Sequence, residues 1–337
     1  MTQHSTTEPQ APPAAEASPS TLPPPEDPGD LTAGGVLVAA FKQLRPKQWT
    51  KNVFLLAALV FAREFTNPAA IGRAMVGFAS FSLLASCGYV LNDYLDREAD
   101  RKHPKKRFRP IASGALPLRA AQALMVVTLL GGLASAWALG VPFFATAVGY
   151  LVTTLSYSLW FKHIVILDVM FLALCYVWRV VGGAMAIPVL VSTWLFLCTA
   201  FFALFVGFNK RRAELNKLGD KAGTRRNLIE YNNRMLEEFQ SIVTGNTVLC
   251  YSLYAVLGPT PWMSLTIPFV LYAVFRYIYL VEQRGEGGAP DETLLSDVPI
   301  LASSVLYGIT AIAVLYADGA GWLPELLAEA PGFRSGS

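Results

Sequence analysis

The chain has 337 residues, 53% of them hydrophobic and 15% charged, with a mean hydropathy of +0.42. A soluble domain carries about 25% charged residues, so this length does not read as two ordinary soluble domains. The net charge of +3 is too small to imply a nucleic-acid partner, and its distribution matters more than its sum.

Residues 1–33 are rich in Pro, Ala, Ser, Thr and Glu and hold no apolar run, which predicts a disordered tail. They lack a basic stretch followed by an apolar one, so no signal peptide is expected. Residues 34–44 read as a short amphipathic lead-in helix. Beyond them, membrane-length apolar runs predict nine spans, at roughly 52–66, 71–92, 118–139, 142–161, 164–186, 190–209, 238–258, 263–282 and 298–317. The expected fold is therefore all-α: a polytopic membrane domain over 34–317, nine transmembrane helices around a central cavity, with a short extracytoplasmic tail at 318–337. Span one is short and needs the preceding segment to extend it. Gly140-Val141-Pro142, Pro188 and Gly258-Pro259-Thr260-Pro261 mark uncharged joints.

Other joints are strongly basic. Lys42, Arg45, Lys47 and Lys51 precede span one, and Arg97, Arg101, Lys102, Lys105, Lys106, Arg107 and Arg109 follow span two. Lys210, Arg211, Arg212, Lys217, Lys221, Arg225, Arg226 and Arg234 lie between spans six and seven, while the opposite joints hold only Arg63 and Arg73. The asymmetry alternates in phase with the spans, so the N-terminus and basic loops are expected in the cytoplasm of a plasma-membrane protein, with the C-terminus outside. Cys87, Cys175, Cys198 and Cys250 all sit within apolar runs without metal-ligand spacing, and read as small core residues.

Topology explains basic loops; it does not explain the acids among them. On a helix continuing from span two, Asp93, Asp96 and Asp100 fall within about 60° of arc, and Asn92 widens this to about 100°. Such a face either forms a solvated ion-pair network with its basic neighbours or holds Mg²⁺, a hard cation that takes carboxylate and phosphate oxygens. The second reading suits a diphosphate substrate whose remaining charge is met by nearby cations. Inside the spans, Asp168, Arg179 and Arg276 are costly and point to function. Arg179 lies about 20° from Asp168 around the same helix.

These residues resemble the UbiA superfamily of intramembrane prenyltransferases, whose first acidic motif, NDxxDxxxD, matches Asn92, Asp93, Asp96 and Asp100. The resemblance covers roughly residues 40–317 and implies a cytoplasmically capped central cavity. Phe208-Asn209-Lys210-Arg211-Arg212-Ala213-Glu214-Leu215 stands where many members carry a second acidic motif, which argues against a second metal cluster. The finer resemblance is to actinobacterial decaprenyl-phosphate phosphoribosyltransferases. It rests on Arg45-Pro46-Lys47-Gln48-Trp49-Thr50-Lys51-Asn52, Asp100-Arg101-Lys102-His103-Pro104, Arg109-Pro110-Ile111-Ala112-Ser113-Gly114, Tyr157-Ser158 with Lys162, and the Phe208–Leu215 run.

That resemblance implies transfer of 5-phosphoribose from phosphoribosyl diphosphate to decaprenyl phosphate, for cell-wall arabinan. On this reading Asn92, Asp93, Asp96 and Asp100 are the catalytic and Mg²⁺-binding residues. Lys47, Lys51, Asn52, Arg107, Tyr157, Lys162 and Asp168 are donor candidates. Lys210, Arg211, Arg212 and Arg276 are lipid-phosphate candidates. The nucleophile is already ionised, so no general base is needed; His103 and His163 read as structural. A homo-oligomer is also expected. The rivals are an aromatic prenyltransferase of the same fold, a transporter, and a scaffold for wall-synthesis enzymes; the last has no use for three aligned carboxylates.

Overall fold

The computed structural model describes residues 32–189, 193–218, 228, 230–258, 260–284 and 296–323, and these are helical or turn, with no strand among them. Lys221, Arg225, Arg226 and nearly all of the N-terminal tail lie outside the described residues. Helix α1 (Ala33–Gln43) is the lead-in helix, capped by the Thr32 hydroxyl, which accepts from the Gly35 N–H. A 3₁₀ segment, Pro46–Asn52, runs directly into α2 (Val53–Phe61). Next come α3 (Pro68–Leu95), the short helices α4 (Arg97–Lys102) and α5 (Pro110–Ser113), and α6 (Leu118–Ala138). The rest is α7 (Val141–Leu159), α8 (Leu167–Ala186), α9 (Thr193–Leu218), α10 (Asn233–Leu257), α11 (Ile267–Arg284) and α12 (Val298–Gly319).

Six helical stretches are long and apolar enough to cross a membrane: Pro68–Leu95, Leu118–Ala138, Leu167–Ala186, Thr193–Asn216, Pro261–Gln283 and Val298–Gly319. The other three expected spans fall outside this set for different reasons. With nine residues, α2 rises only about 14 Å, against a hydrocarbon thickness of about 30 Å. Helix α7 is long enough but carries Thr146, Tyr150, Thr153, Thr154, Ser156, Tyr157 and Ser158. The first turns of α10 carry Arg234, Glu237, Glu238 and Gln240.

Helix α8 is the spine of the bundle. On one side α2, α3, α6, α7 and α8 share a core around Leu55, Phe81, Leu84, Phe143 and Tyr150. On the other, Val169 of α8 joins Phe205, Leu236, Tyr277 and Ile300 from α9 to α12. A smaller cluster around Tyr254, Met263 and Leu315 closes the far end. Where there is no hydrophobic drive between helices in lipid, small residues let backbones approach. A Cβ at Gly183 of α8 would run into the Leu55 carbonyl of α2, and one at Gly132 of α6 would sit 2.7 Å from the Leu84 side chain.

The two arginines of the weakly charged joints are structural. Arg73 donates from Nε to the Ala186 carbonyl at 2.6 Å and from a terminal nitrogen to the Leu139 carbonyl at 2.8 Å. It thereby caps the C-terminal ends of α8 and α6, where cations are favoured. Arg63 pairs with Asp318 at 2.5 Å and ties the end of α2 to the end of α12. Gly183→Ala is expected to destabilise the bundle by about 1–3 kcal/mol or force α2 away from α8. Thermal unfolding of the detergent-solubilised protein checks this, with Gly245→Ala, which faces open space, as the control.

Candidate active site

Four helices turn polar stripes toward one another. They are Gly88, Tyr89 and Asn92 of α3; Tyr150, Thr154, Tyr157 and Ser158 of α7; Cys175, Tyr176 and Arg179 of α8; and Gly207 and Lys210 of α9. Within each stripe the residues recur at three- and four-residue steps, the spacing of a single helical face. Lys51, from the 3₁₀ segment before α2, completes a cavity of about 150 Å³. Its charged lining residues among the described ones are Lys51, Arg179 and Lys210, with no carboxylate among them. The described charges in its wall are thus all cationic. The polarity that kept α7 out of the membrane-length set is the polarity of this wall.

Arg179 is seated with care. It is only 4% exposed. Its Nε donates to the Asn52 Oδ1 at 2.8 Å, and its terminal nitrogens donate to the Cys175 carbonyl at 2.7 Å and the Tyr150 hydroxyl at 3.1 Å. The guanidinium also lies over the rings of Tyr150 and Tyr176, 4.9 and 5.4 Å from their centroids, an arrangement that stabilises a desolvated cation. Asn52 is held in turn, donating to Ser82 Oγ at 2.9 Å. Asn52 thus acts on the cavity through Arg179.

The acidic stretch is not one helical face. Helix α3 ends at Leu95, Asp96 adopts φ −87° and ψ 2°, and α4 begins at Arg97. The bend turns Asp96 to the surface while Asp93 and Asp100 stay buried. Both Asp93 oxygens accept from Arg45, at 2.8 and 2.7 Å, and Gln43 Nε2 adds a bond of 2.7 Å. Arg109 bridges Asp93 and Asp100 through one nitrogen, at 2.9 and 2.7 Å. Arg45 sits at φ +54°, a left-handed conformation, and also lies 5.0 Å over the Tyr89 ring at the cavity wall. These oxygens are the hard donors that Mg²⁺ prefers. As arranged they do not fit a metal cluster: arginines hold two of the carboxylates, and no group of three His, Cys, Asp or Glu forms a cation site among the described residues. Arg45 and Arg109 both lie in the stretches that carried the finer resemblance, and that was the signal for them.

Of the other sequence candidates, Lys51, Asn92, Tyr157 and Lys210 line the cavity. Asp168 and Arg211 do not. They are fully buried and pair with each other at 2.7 Å, and Arg211 also pairs with Glu214 at 2.5 Å. The Tyr231 hydroxyl donates to Asp168 at 2.8 Å and accepts from the Ile166 N–H at 2.7 Å, where Ile166 holds φ +69° at the start of α8. Burial, and then the Asp168 carboxylate, push the Tyr231 phenol above its ordinary pKa. It therefore stays protonated and can donate at any physiological pH.

Arg212 turns the other way, onto Glu237, Glu282 and Gln240, beside a separate polar cavity between α9, α10 and α11. Arg276 pairs with Asp297 at 3.0 Å. Adjacent positions on a helix point about 100° apart, so the Lys210-Arg211-Arg212 triplet does not act as one phosphate-binding patch. Lys47 is exposed; Arg107 stacks on Phe108 at 5.0 Å; Lys162 is half-buried in the turn before α8. None of the three is among the residues lining the cavity.

Beside the polar cavity lies an apolar one of about 400 Å³, lined mainly by Phe54, Phe202, Phe205, Val206, Phe269, Val274 and Tyr307 and bounded by α2, α9, α11 and α12. Val206 borders both spaces. The helical bundle thus holds a cationic pocket against an apolar one.

Comparison with known proteins places this bundle in a family. The profile of the UbiA prenyltransferase family matches residues 52–291, and the chain belongs to that family. It is 35% identical over 282 residues to the decaprenyl-phosphate phosphoribosyltransferase of Mycobacterium tuberculosis, covering 81% of this chain and 91% of that protein. It is 33% identical over 294 residues to the protein of the same name from Corynebacterium glutamicum, covering 82% and 86%. Among solved structures, a UbiA homolog from Archaeoglobus fulgidus bound to GPP and Mg²⁺ superposes with a TM-score of 0.66 at 20% identity, over 82% of this chain and 99% of that one. This last likeness shows the fold.

Breaking the buried pair separates a structural role from a substrate-binding one. Asp168→Asn is expected to destabilise the protein by about 3–5 kcal/mol, because Arg211 loses one of its two anionic partners. An Asp168→Asn/Arg211→Gln double variant is expected to recover part of that loss in a thermal double-mutant cycle. A cycle with no coupling would remove the pair as the reason for both residues.

Proposed function

We propose that this protein transfers the 5-phosphoribosyl group of 5-phosphoribosyl 1-diphosphate to a polyprenyl phosphate, decaprenyl phosphate in the relatives' name. The anomeric C–O bond to diphosphate breaks, and a C–O bond to the lipid phosphate forms. Diphosphate leaves, and decaprenylphosphoryl-5-phosphoribose is the product, supplied to arabinan synthesis in the cell wall. The observation that carries the reading is a cavity with Lys51, Arg179 and Lys210 in its walls and no carboxylate among the described lining residues, beside an apolar groove.

Both substrates are anions, so a cationic lining stabilises them together and the leaving diphosphate with them. The lipid phosphate is ionised at neutral pH and needs no base. Attack opposite the leaving group gives inversion at the anomeric carbon. Lys51, Lys210, Asn92 and Tyr157 orient the groups that enter from the charged end of the bundle. In this reading the chain crosses the membrane nine times, with the N-terminus and cavity mouth cytoplasmic and the C-terminus outside. Helix α2 and its 3₁₀ lead together make the first crossing.

A Mg²⁺ requirement is part of the proposal, supported by the Mg²⁺-bound Archaeoglobus homolog and by the oxygen chemistry of Asn92, Asp93, Asp96 and Asp100. Asp93 and Asp100 become available to a cation only when Arg45 and Arg109 release them, and Asp96 is exposed to one already.

Membranes holding the protein, given ¹⁴C-labelled phosphoribosyl diphosphate and decaprenyl phosphate, are expected to move label into the lipid fraction. Chelation should stop the transfer and Mg²⁺ restore it, and Asp96→Asn should lower it by about 10- to 100-fold. Transfer that appears only with a prenyl diphosphate and an aromatic acid would replace this reading with the aromatic prenyltransferase. Transfer by Asp96→Asn at the full rate would remove that carboxylate from the site.

A further inference from the structure

We infer that Arg179 is the receptor for the acceptor's phosphate monoester, and that it waits for this anion as a buried cation. The inference rests on the transfer reading above and adds the group that holds the nucleophile. Arg179 has five N–H donors, and its three hydrogen bonds go to neutral acceptors: an amide, a carbonyl and a phenol. Two N–H groups remain, one on each terminal nitrogen. Among the described residues no carboxylate pairs with it. A buried charge is normally paired, and the other buried arginines here follow that rule, Arg211 with Asp168 and Arg212 with Glu237. Arg179 has aromatic faces and an open cavity instead.

The choice of the lipid's phosphate over the donor's follows from depth and from the wall. Arg179 lies eleven residues along α8 from Asp168, about 16 Å deeper. A donor entering from the charged end meets Asn92, beside Asp93, and Lys210, level with the Asp168–Arg211 pair, first. The lipid comes from the side. Tyr176, which stacks on Arg179, packs edge-on against Phe54 at 5.4 Å and 83°, and Phe54 lines the apolar groove. One aromatic contact, with Val206 beside it, therefore separates the buried cation from the groove. An isoprenoid chain lying in the groove delivers its terminal phosphate past that contact to Arg179, fixed and desolvated for attack.

Farnesyl phosphate, farnesol and phosphoribosyl diphosphate serve as probes on the purified full-length protein in detergent, read by thermal shift and, where turnover occurs, by KM. Farnesyl phosphate is expected to stabilise the wild type more than farnesol. Arg179→Gln should weaken farnesyl phosphate about ten- to hundredfold and leave the donor within about twofold, with partial recovery in Arg179→Lys. Asn52→Asp tests the same point with the arginine in place. It puts a carboxylate on the guanidinium at the expense of the Asn52 donation to Ser82 Oγ, so farnesyl phosphate binding should fall while the protein stays folded. It also covers the case in which Arg179→Gln does not fold. Loss of donor binding with farnesyl phosphate unchanged would reassign Arg179 to the donor. Unchanged affinity for both probes in Asn52→Asp would leave it a structural residue. If the wild type binds farnesyl phosphate through Arg179 yet transfers no phosphoribose, the transfer reading falls and this inference stands.

Discussion

The bundle is organised by the cost of charge inside an apolar medium. A guanidinium or carboxylate removed from water must be met by protein dipoles, by an opposite charge, or by a ligand. Each buried charged residue described here meets one of these demands, and the way it does so separates scaffold from site. Asp168 and Arg211 satisfy each other, with Tyr231 and Glu214 completing the group, and so lock α8 to α9 and to the segment before α10. Arg212 gathers Glu237 and Glu282 and binds α9 to α10 and α11. Arg179 is met by dipoles and π faces, and its helix face opens on a cavity.

The acidic stretch shows the same economy with a different outcome. Three carboxylates on a straight helix face would repel one another. The chain relieves this by bending at Asp96 and bringing Arg45 and Arg109 onto Asp93 and Asp100. The same ion pairs fasten the segment after α1 and the loop before α6 to the end of α3. An acidic motif that sequence reads as a metal face is therefore also the joint that holds three segments together. Arg45 takes an uncommon left-handed backbone conformation while making that contact. Its ring contact with Tyr89 reaches the cavity wall, so a change at the joint is felt at the cavity.

Much of the architecture was legible in the sequence because it is local. Hydropathy runs located the long helices, Pro and Gly located several joints, and an amphipathic pattern located the lead-in helix. The polar stripe of α7 was also there to be read: Tyr150, Thr154, Tyr157 and Ser158 recur at helical spacing in an otherwise apolar segment. It was missed because Thr, Ser and Tyr lower hydropathy without the visibility of a charge. Lys51, Asn92, Tyr157 and Lys210 were found because charge or motif made them conspicuous.

An all-helical membrane domain, a charged end, the family-specific acidic stretch and a cationic replacement for a second one can all be read along the chain. These follow from composition, periodicity and short motifs, each a property of neighbours along the chain. Which charges pair with one another and which face the cavity depends on how the helices pack. Lys210, Arg211 and Arg212 are consecutive and chemically alike, yet one lines the cavity and two are committed to different helices. Their partners lie up to seventy positions away. Adjacent side chains diverge around a helix, and a distant carboxylate closes on whichever of them the packing presents.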